Sequence, residues 1–430
     1  MFRTFSNLFR VADIRQKILF TLAILIVFRL GTFIPVPFTD SDALTMMNET
    51  NSFGFIDTFG GGALSQFSIF AMNIFPYITA AIIMQLLQMD VVPKFTEWRK
   101  QGEMGRRKLA QFTRYFTVVL AFLQGIGMSI GFNQMTDGAL ISNPGIVTYL
   151  TIAIVLTGGT TFLMWLGEQI TEFGVGNGIS IIIFAGIVAG IPNGVNQLYE
   201  TYISGAGDQL FINLAVIGII GLVVIAVIVG VIFIQQALRK IPIQYAKRTV
   251  NRSPVGGQST HLPLKVNAAG VIPIIFAIAF IMAPRTIAQF FEGNEFAQTM
   301  AWVFDYTEPV GMVIYFGLII AFTYFYTFVQ VNPEQMAENL QKQGGYVPGI
   351  RPGKNTETYL TRVMYRLTFV GALFLAVVAI FPIMLGSIAD LPASVQIGGT
   401  SLLIVVGVAL NTMKQLESQL VKRHYRGFIK

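Results

Sequence analysis

Ten apolar segments run through this chain, and most of its positive charge lies in alternate gaps between them. Of the 29 Lys and Arg residues, all but Arg29, Arg114 and Arg285 fall in the two tails and in three of the nine gaps. An excess of Lys and Arg marks the cytoplasmic side of a membrane protein. The pattern therefore predicts an all-α polytopic membrane protein and sets the orientation of its helices.

The composition supports this class. The chain is 53% hydrophobic and 12% charged, with a mean hydropathy of +0.64, whereas soluble domains carry about 25% charged residues. It contains no cysteine, which excludes a disulfide framework and a thiolate metal site. The net charge of +7 suits anionic phospholipid head groups and acidic partners.

The apolar runs predict ten transmembrane helices. We place them at residues 18–36, 69–90, 110–131, 146–167, 178–192, 211–237, 266–284, 308–330, 367–386 and 397–413. An even number of spans puts both basic termini on the cytoplasmic side. The first run is too long for the apolar region of a secretory signal peptide, which has about 7–15 residues. Residues 1–17 are interpreted either as an amphipathic interfacial helix or as a basic tail that only sets topology.

The ten spans divide into two sets of five. Residues 18–192 would form an N-terminal half, 193–210 an external linker, 211–413 a C-terminal half and 414–430 a cytoplasmic tail. Because the first span starts inside and the sixth starts outside, the halves would have opposite topology, as inverted repeats do. This prediction rests on the number of spans alone.

Two basic gaps, 238–265 and 331–366, are too long for simple turns and should have structure of their own. In the second gap, Asn332 followed by Pro333 predicts a helix start. Glu338 and Lys342 would pair on that helix, and Gly344-Gly345 would end it. The segment 346–353 is rich in turn residues and presents Arg351. In the first gap, alternation around 245–250 indicates a short hairpin.

Catalytic and metal-binding patterns are absent from the predicted spans. Asp and Glu are missing from the middle of all ten, and Arg29 is the only basic residue well inside one. Proton-coupled transporters use buried carboxylates or histidines as relays. The chain also lacks a P-loop and an HExxH motif. The run Gly174-Val-Gly176-Asn-Gly178 follows a membrane helix, so we interpret it as a tight turn between helices. No enzymatic activity, cofactor or metal is predicted.

The segment Asp57–Phe67 is short, rich in glycine and followed directly by an apolar span. Irregular backbone at membrane depth is tolerated where protein or a water-filled cavity surrounds it. The segment is therefore either a re-entrant element or an outer loop that dips slightly into the membrane.

Seven stretches carry a resemblance to the SecY family, the channel subunits of bacterial protein-conducting translocons. They are Phe59-Gly-Gly-Gly-Ala-Leu-Ser65, Phe75-Pro-Tyr-Ile78, Gly105-Arg-Arg-Lys108, Trp165-Leu-Gly-Glu-Gln-Ile-Thr171, Gly176-Asn-Gly-Ile-Ser180, Ser259-Thr-His-Leu-Pro-Leu-Lys-Val-Asn267 and Val347-Pro-Gly-Ile-Arg-Pro-Gly353. The resemblance covers essentially the whole chain. It implies a gated channel that passes unfolded preproteins across the plasma membrane and releases transmembrane segments sideways into lipid.

The resemblance also implies a constriction and a plug. A ring of aliphatic side chains would close the channel, at Ile74, Ile78, Ile183, Ile275 and Ile404. An apolar constriction can gate by dewetting. The plug would be the short re-entrant element Asp57, Thr58, Phe59, Gly60, Gly61, Gly62, Ala63, Leu64, Ser65 and Gln66. Gln85 and Asn267 would form a polar pair at a lateral gate, where the alternative is simple helix–helix contact.

The two long basic gaps would be docking loops for the ATPase SecA and for the ribosome. The resemblance assigns this role to Arg351, Lys247, Arg248 and Arg252. It further implies SecE and SecG as partner subunits, with signal sequences and nascent membrane proteins as substrates. The alternatives from the sequence are a secondary transporter with inverted repeats and an intramembrane enzyme. The first requires a polar site at the midplane, and the second requires a nucleophile and a base.

Overall fold

The structure is a computed structural model. It describes residues 11–40, 57, 59–89, 91–136, 138–204, 210–245, 248–250, 253–255, 259–289, 295–389 and 393–426. Residues 1–10 of the predicted N-terminal segment, Thr58, Lys247, Arg252, residues 205–209 of the predicted linker and residues 427–430 of the tail lie outside this part.

Helices dominate the described residues. In the N-terminal part they are α1 (Ala12–Gly31), α2 (Phe75–Leu87), α3 (Pro93–Lys100), α4 (Glu103–Met135), α5 (Ile146–Phe173) and α6 (Gly178–Tyr202). In the C-terminal part they are α7 (Leu210–Gln236), α8 (Ile272–Gln289), α9 (Glu295–Val303), α10 (Pro309–Gln330), α11 (Pro333–Lys342), α12 (Lys354–Ala389) and α13 (Ala393–Arg426). Five short strands are β1 (Leu238–Tyr245), β2 (Arg248–Val250), β3 (Ser253–Val255), β4 (Ser259–Lys265) and β5 (Gly345–Tyr346).

Each predicted span overlaps one helix, in the order α1, α2, α4, α5, α6, α7, α8, α10, α12 and α13. Six of these helices, α4, α5, α6, α7, α10 and α12, are long and apolar enough to cross a membrane by length and composition. Two shorter apolar helices are α2 and residues 272–282 of α8. The polytopic helical class is confirmed, whereas length and hydropathy do not by themselves give ten spans.

The second span begins later than the apolar run predicts. Residues 69–74 form turns, and α2 starts at Phe75. Asn73 has a φ of +49°, a left-handed conformation that asparagine tolerates better than most residues but that a helix cannot contain. Pro76 then lies in the first turn of α2, where proline is favoured because no helical hydrogen bond is lost.

Several helices run beyond the predicted ends of their spans. α6 continues past Pro192 into the predicted linker, α12 starts inside the second basic gap, and α13 extends to Arg426 in the predicted tail. The ends of an apolar run mark where hydrophobicity stops. They do not mark where helical hydrogen bonding stops, so helices can project beyond the apolar zone.

The predicted tight turn between the fourth and fifth spans is confirmed. α5 ends at Phe173 and α6 begins at Gly178. The Asn177 side chain caps α6 by accepting a hydrogen bond from the Ser180 backbone N–H. Gly176 has a φ of +81°, which favours glycine. A Cβ at Gly178 would overlap the carbonyl of Gly167, so glycine here allows α5 and α6 to approach closely.

The first basic gap is a larger hairpin than predicted. β1 pairs antiparallel with β4 from Leu238↔Lys265 to Gln244↔Ser259, and β2 pairs with β3 near its tip. β5, from the second gap, adds to the other edge of β1. The expectation of an all-α chain is therefore incomplete. Along β1, Ile241 and Ile243 are buried while Pro242 and Gln244 are exposed, so one face of the strand packs against the rest of the protein.

Candidate channel constriction, plug segment and docking module

The five isoleucines assigned to the ring come together in the structure. Ile74 directly precedes α2, Ile78 lies in α2, Ile183 in α6, Ile275 in α8 and Ile404 in α13. All five are buried, with at most 8% of their surface exposed, and belong to one apolar cluster. The ring thus draws on helices from both predicted halves.

A narrow cavity of about 10 Å³ lies at this cluster, which is room for about one water molecule. Four of the ring isoleucines line it, together with Phe59, Asn73, Phe75 and Ile278. Apart from Asn73, these side chains offer no polar group. The constriction is therefore almost entirely apolar and nearly filled by its own side chains.

The segment expected to be the plug, which we call the plug segment (Asp57 and residues 59–67), is mostly turns. Only Asp57, Phe59 and Gly60 have helical geometry, and turns or bends follow to Phe67. A regular helix is prevented because Gly61 and Gly62 have φ values of +66° and +89°. The expectation of a short plug helix is thus wrong for residues 61–67.

Asp57 holds the plug segment in its folded form. Its Oδ1 accepts hydrogen bonds from the backbone N–H groups of Leu64 at 2.8 Å and Ser65 at 3.1 Å. Its Oδ2 accepts a hydrogen bond from the Ser65 hydroxyl. Burial raises the pKa of the Asp57 carboxyl, and the two backbone N–H groups act in the opposite direction. A single side chain therefore closes this turn on itself.

The plug segment is packed against the constriction. The Phe59 ring lies edge-on to Phe75, with ring centroids 6.2 Å apart. The side-chain amide of Asn73 donates a 2.8 Å hydrogen bond to the Phe59 carbonyl. A Cβ at Gly186 of α6 would overlap this carbonyl and lie 3.3 Å from the Gly61 nitrogen. The backbone of the plug segment therefore lies directly against α6.

Arg29 of α1 also contacts the plug segment, and sequence reasoning gave it no role. Its guanidinium donates a hydrogen bond to the Gly61 carbonyl and lies 4.6 Å from the centroid of the Phe33 ring. No carboxylate among the described residues lies within ion-pair distance of Arg29. The signal that could have identified it is its position as the only basic residue well inside a predicted span.

The predicted lateral-gate pair is not bonded in the structure. Gln85 lies in α2 and Asn267 lies just before α8, and these two helices contact each other. Asn267, however, accepts from the Gly270 N–H at 2.9 Å and donates to its carbonyl at 3.0 Å. Oε1 of Gln85 is buried without a hydrogen-bond partner among the described residues. Asn267 thus satisfies its own turn instead of bonding Gln85.

The two basic gaps form one unit, which we call the docking module (β1, β4, β5, α11 and the start of α12). A shared apolar cluster joins its parts, with members Ile241, Ile243, Leu264, Ala337, Leu340, Val347, Leu360, Val363 and Met364. The predicted helix start is confirmed, because Asn332 Oδ1 accepts from the N–H groups of Glu334 and Gln335. The predicted pair of Glu338 and Lys342 is also confirmed, at 2.7 Å.

Arg351 is exposed at one tip of the docking module. Its backbone carbonyl accepts a 3.0 Å hydrogen bond from the Thr356 hydroxyl, and Gly349 and Gly353 on either side have positive φ values. Of the other predicted docking residues, Arg248 begins β2, while Lys247 and Arg252 lie outside the described residues. The fixed turns therefore present Arg351 to solvent.

No group of three or more His, Cys, Asp or Glu side chains within the described part of the chain could hold a metal ion. The assembled site therefore consists of apolar side chains, with hydrogen bonds to backbone carbonyls beside them.

Comparison with known proteins identifies the family. The SecY family model matches residues 68–413. The protein translocase subunit SecY of Halalkalibacterium halodurans is 68% identical over 433 residues, covering 100% of both chains. A solved SecY structure concerned with the plug domain and the closed state of the translocation channel matches with a TM-score of 0.66, at 19% identity, over 97% of this chain and 95% of that one.

A second solved structure is the channel in the canine ribosome–channel complex from the endoplasmic reticulum. It matches with a TM-score of 0.62, at 18% identity, and covers 97% of this chain and 95% of the other. At this identity the two solved structures support the fold, while the full-length relative and the family model support membership. This chain belongs to the SecY family of protein translocase subunits.

Proposed function

We propose that this chain forms a gated channel through which unfolded preproteins cross the bacterial plasma membrane and transmembrane segments leave sideways into lipid. One observation carries the proposal: four isoleucines at the start of α2 and in α6 and α8 line one narrow apolar cavity next to the plug segment, and Ile404 of α13 belongs to the same apolar cluster. Flexible aliphatic side chains can seal a narrow opening by dewetting and still part around a polypeptide.

The plug segment (residues 57–67) would block the constriction in the resting channel and move aside during transport. It contains three consecutive glycines, so ordering it costs much conformational entropy. A solved relative has a plug domain that stabilises its closed state and maintains a membrane seal. In this chain α2 and α8 would form the lateral gate, with Gln85 and Asn267 at the seam.

The docking module, through Arg351, would bind SecA and the ribosome on the cytoplasmic side, together with Lys247, Arg248 and Arg252 between β1 and β4. Its positive charge and the exposed position of Arg351 support this role. SecE and SecG would be the partner subunits, and anionic phospholipids would contact the basic face. In this proposal, ten spans in two inverted halves place both termini in the cytoplasm. The chain has no catalytic role, and SecA or the ribosome supplies the energy.

A crosslinking experiment tests the proposal. A photo-crosslinking residue is placed at Ile78 or Ile183 in the ring, or at Ile219 of α7, which is 64% exposed and serves as the control. With SecA, ATP and a stalled preprotein, we expect crosslinks to the translocating chain from Ile78 and Ile183 but not from Ile219. Equal crosslinking at all three positions would contradict the ring assignment.

The alternative of a secondary transporter is not favoured, because the chain belongs to a family of protein translocase subunits. Vesicles containing this chain should protect a preprotein from protease when SecA and ATP are supplied. Saturable uptake of a small solute without any protected preprotein would instead indicate a transporter.

A further inference from the structure

We propose that Arg29 and Asn73 latch the plug segment in the closed channel by binding its backbone carbonyls. The inference rests on the proposed function, in which this segment is the plug. It assigns a role to two further residues, Arg29 in α1 and Asn73 in the turn before α2, which hydrogen-bond to the segment. It also explains why an arginine is placed well inside a predicted membrane span.

In the plug segment, hydrogen-bond acceptors for other elements come from the backbone and not from side chains. Gly60, Gly61 and Gly62 have no side chain, and the backbone leaves helical geometry at Gly61, so carbonyls here can accept hydrogen bonds from other elements. Asn73 donates to the Phe59 carbonyl at 2.8 Å, and Arg29 donates to the Gly61 carbonyl. Two donors from different elements therefore hold two carbonyls only two residues apart.

Within the described residues, the Gly61 and Phe59 carbonyls are the backbone acceptors of the Arg29 and Asn73 side chains. The Arg29 guanidinium also contacts the Phe33 ring and, at 3.5 Å, the Thr32 hydroxyl. Ionisable residues inside membrane proteins characteristically pair with one another or with backbone carbonyls, and Arg29 does the latter. Asn73 is 3% exposed, and its Oδ1 lacks a partner among the described residues. Removing the plug segment would leave both donors without these acceptors.

α6 supplies the surface against which the latch holds the segment. Gly186 lies so close that a Cβ there would overlap the Phe59 carbonyl. The same carbonyl accepts the Asn73 bond, and a Cβ on Gly61 would lie 3.3 Å from Nη1 of Arg29. The segment therefore lies against α6 while Asn73 and Arg29 bind its carbonyls, and its displacement must break both hydrogen bonds together.

The experiment measures resting ion conductance of the purified channel complex in planar bilayers. The latch variants are Arg29→Met and Asn73→Gly, and glycine at position 73 keeps the left-handed backbone while removing the amide. The control is Arg114→Met, which removes another arginine, the one bonded to Glu168 at 2.6 Å. Deletion of residues 58–66 provides the reference for a channel without a plug.

We expect each latch variant to raise the resting conductance about tenfold, the change that follows from losing one charge-assisted or buried hydrogen bond. Arg114→Met should match the wild type, and preprotein transport should persist in all. A second readout is maleimide labelling of the variant Ala63→Cys. Ala63 is fully buried, and the chain contains no other cysteine that could react. Labelling should be faster when this change is combined with either latch variant.

The outcomes separate the latch from the plug. Suppose that the deletion leaks ions but both latch variants show wild-type conductance and labelling. This result would contradict the latch and would still agree with the plug assignment. A deletion that does not leak would reject the plug assignment itself. If Arg29→Met fails to assemble, Asn73→Gly decides the matter, because it changes no charge and lies outside the helices.

Discussion

The Tyr346 hydroxyl donates a 3.0 Å hydrogen bond to Oε1 of Gln244, which joins residues 102 positions apart in the chain. Gln244 belongs to the first basic gap and Tyr346 to the second. The same two residues are paired in the sheet. The two gaps therefore act as one folded unit, and a change in one should be felt in the other.

We predict that Ile243→Ala loosens both gaps of the docking module. Ile243 is 2% exposed, and truncating a buried isoleucine costs about 2–5 kcal/mol. Limited proteolysis of the intact complex should then cut the 331–366 region faster, although the substitution lies in 238–265. Lys240→Ala, exposed on the same strand, is the control and should behave like the wild type. Faster cleavage confined to 238–265 would show that the gaps are independent.

We predict that Arg351→Glu weakens the action of SecA without unfolding the module, because Arg351 is exposed. Reversing a charge at a docking surface slows association, and salt screens this effect. The SecA concentration for half-maximal preprotein-stimulated ATPase activity should rise about tenfold at low salt, and the difference should shrink at high salt. Lys342→Glu changes the same charge elsewhere on the module. An equal defect in that control would mean a general loss of positive charge.

We predict that Gly186→Ala opens the resting channel. The added methyl group would overlap the Phe59 carbonyl, and overpacking of this kind costs about 1–3 kcal/mol. The cost falls on the conformation in which the plug segment lies against α6, so resting ion conductance should rise. Gly190→Ala, one turn later, meets open space and should leave conductance unchanged. Equal conductance in the two variants would argue against close packing of the segment on α6.

We predict that Gln85→Leu stabilises the present arrangement of α2 and α8. Oε1 of Gln85 is buried without a partner among the described residues, and replacing such a group by an apolar one removes a cost of about 1–3 kcal/mol. Transport of preproteins with weak signal sequences should therefore fall. Asn267→Ala should act in the opposite direction, because it removes two hydrogen bonds to Gly270. Unchanged signal-sequence dependence in both variants would exclude a role at the gate.

Much of the fold follows from periodicity, charge and local turn chemistry. The alternating charge predicts an orientation for the chain, and the Asn332 cap and the turn at Gly176 follow from short-range rules. The ring isoleucines could not be found this way, because each one resembles ordinary core packing. Only the resemblance to a family selected Ile404 from the many aliphatic residues of α13.

The features that the sequence did not predict depend on contacts between residues far apart in the chain. The pairing of β1 with β5 could not be read from either gap alone, since nothing local specifies a partner so far along the chain. The bond between Gln85 and Asn267 was expected from a family pattern, yet the Gly270 backbone is the nearer partner for Asn267. Arg29 stood out in the sequence, but its acceptor is a backbone carbonyl, which has no signature in a side-chain pattern.

The docking module is covalently connected to the ends of four helices. β1 follows α7 directly, β4 leads into α8, and α11 and β5 connect α10 to α12. Anything that pushes or twists this one folded unit applies load to four helices at once. One of them is α8, which carries Ile275 of the apolar cluster, so a force on the module has a short covalent route to the proposed constriction.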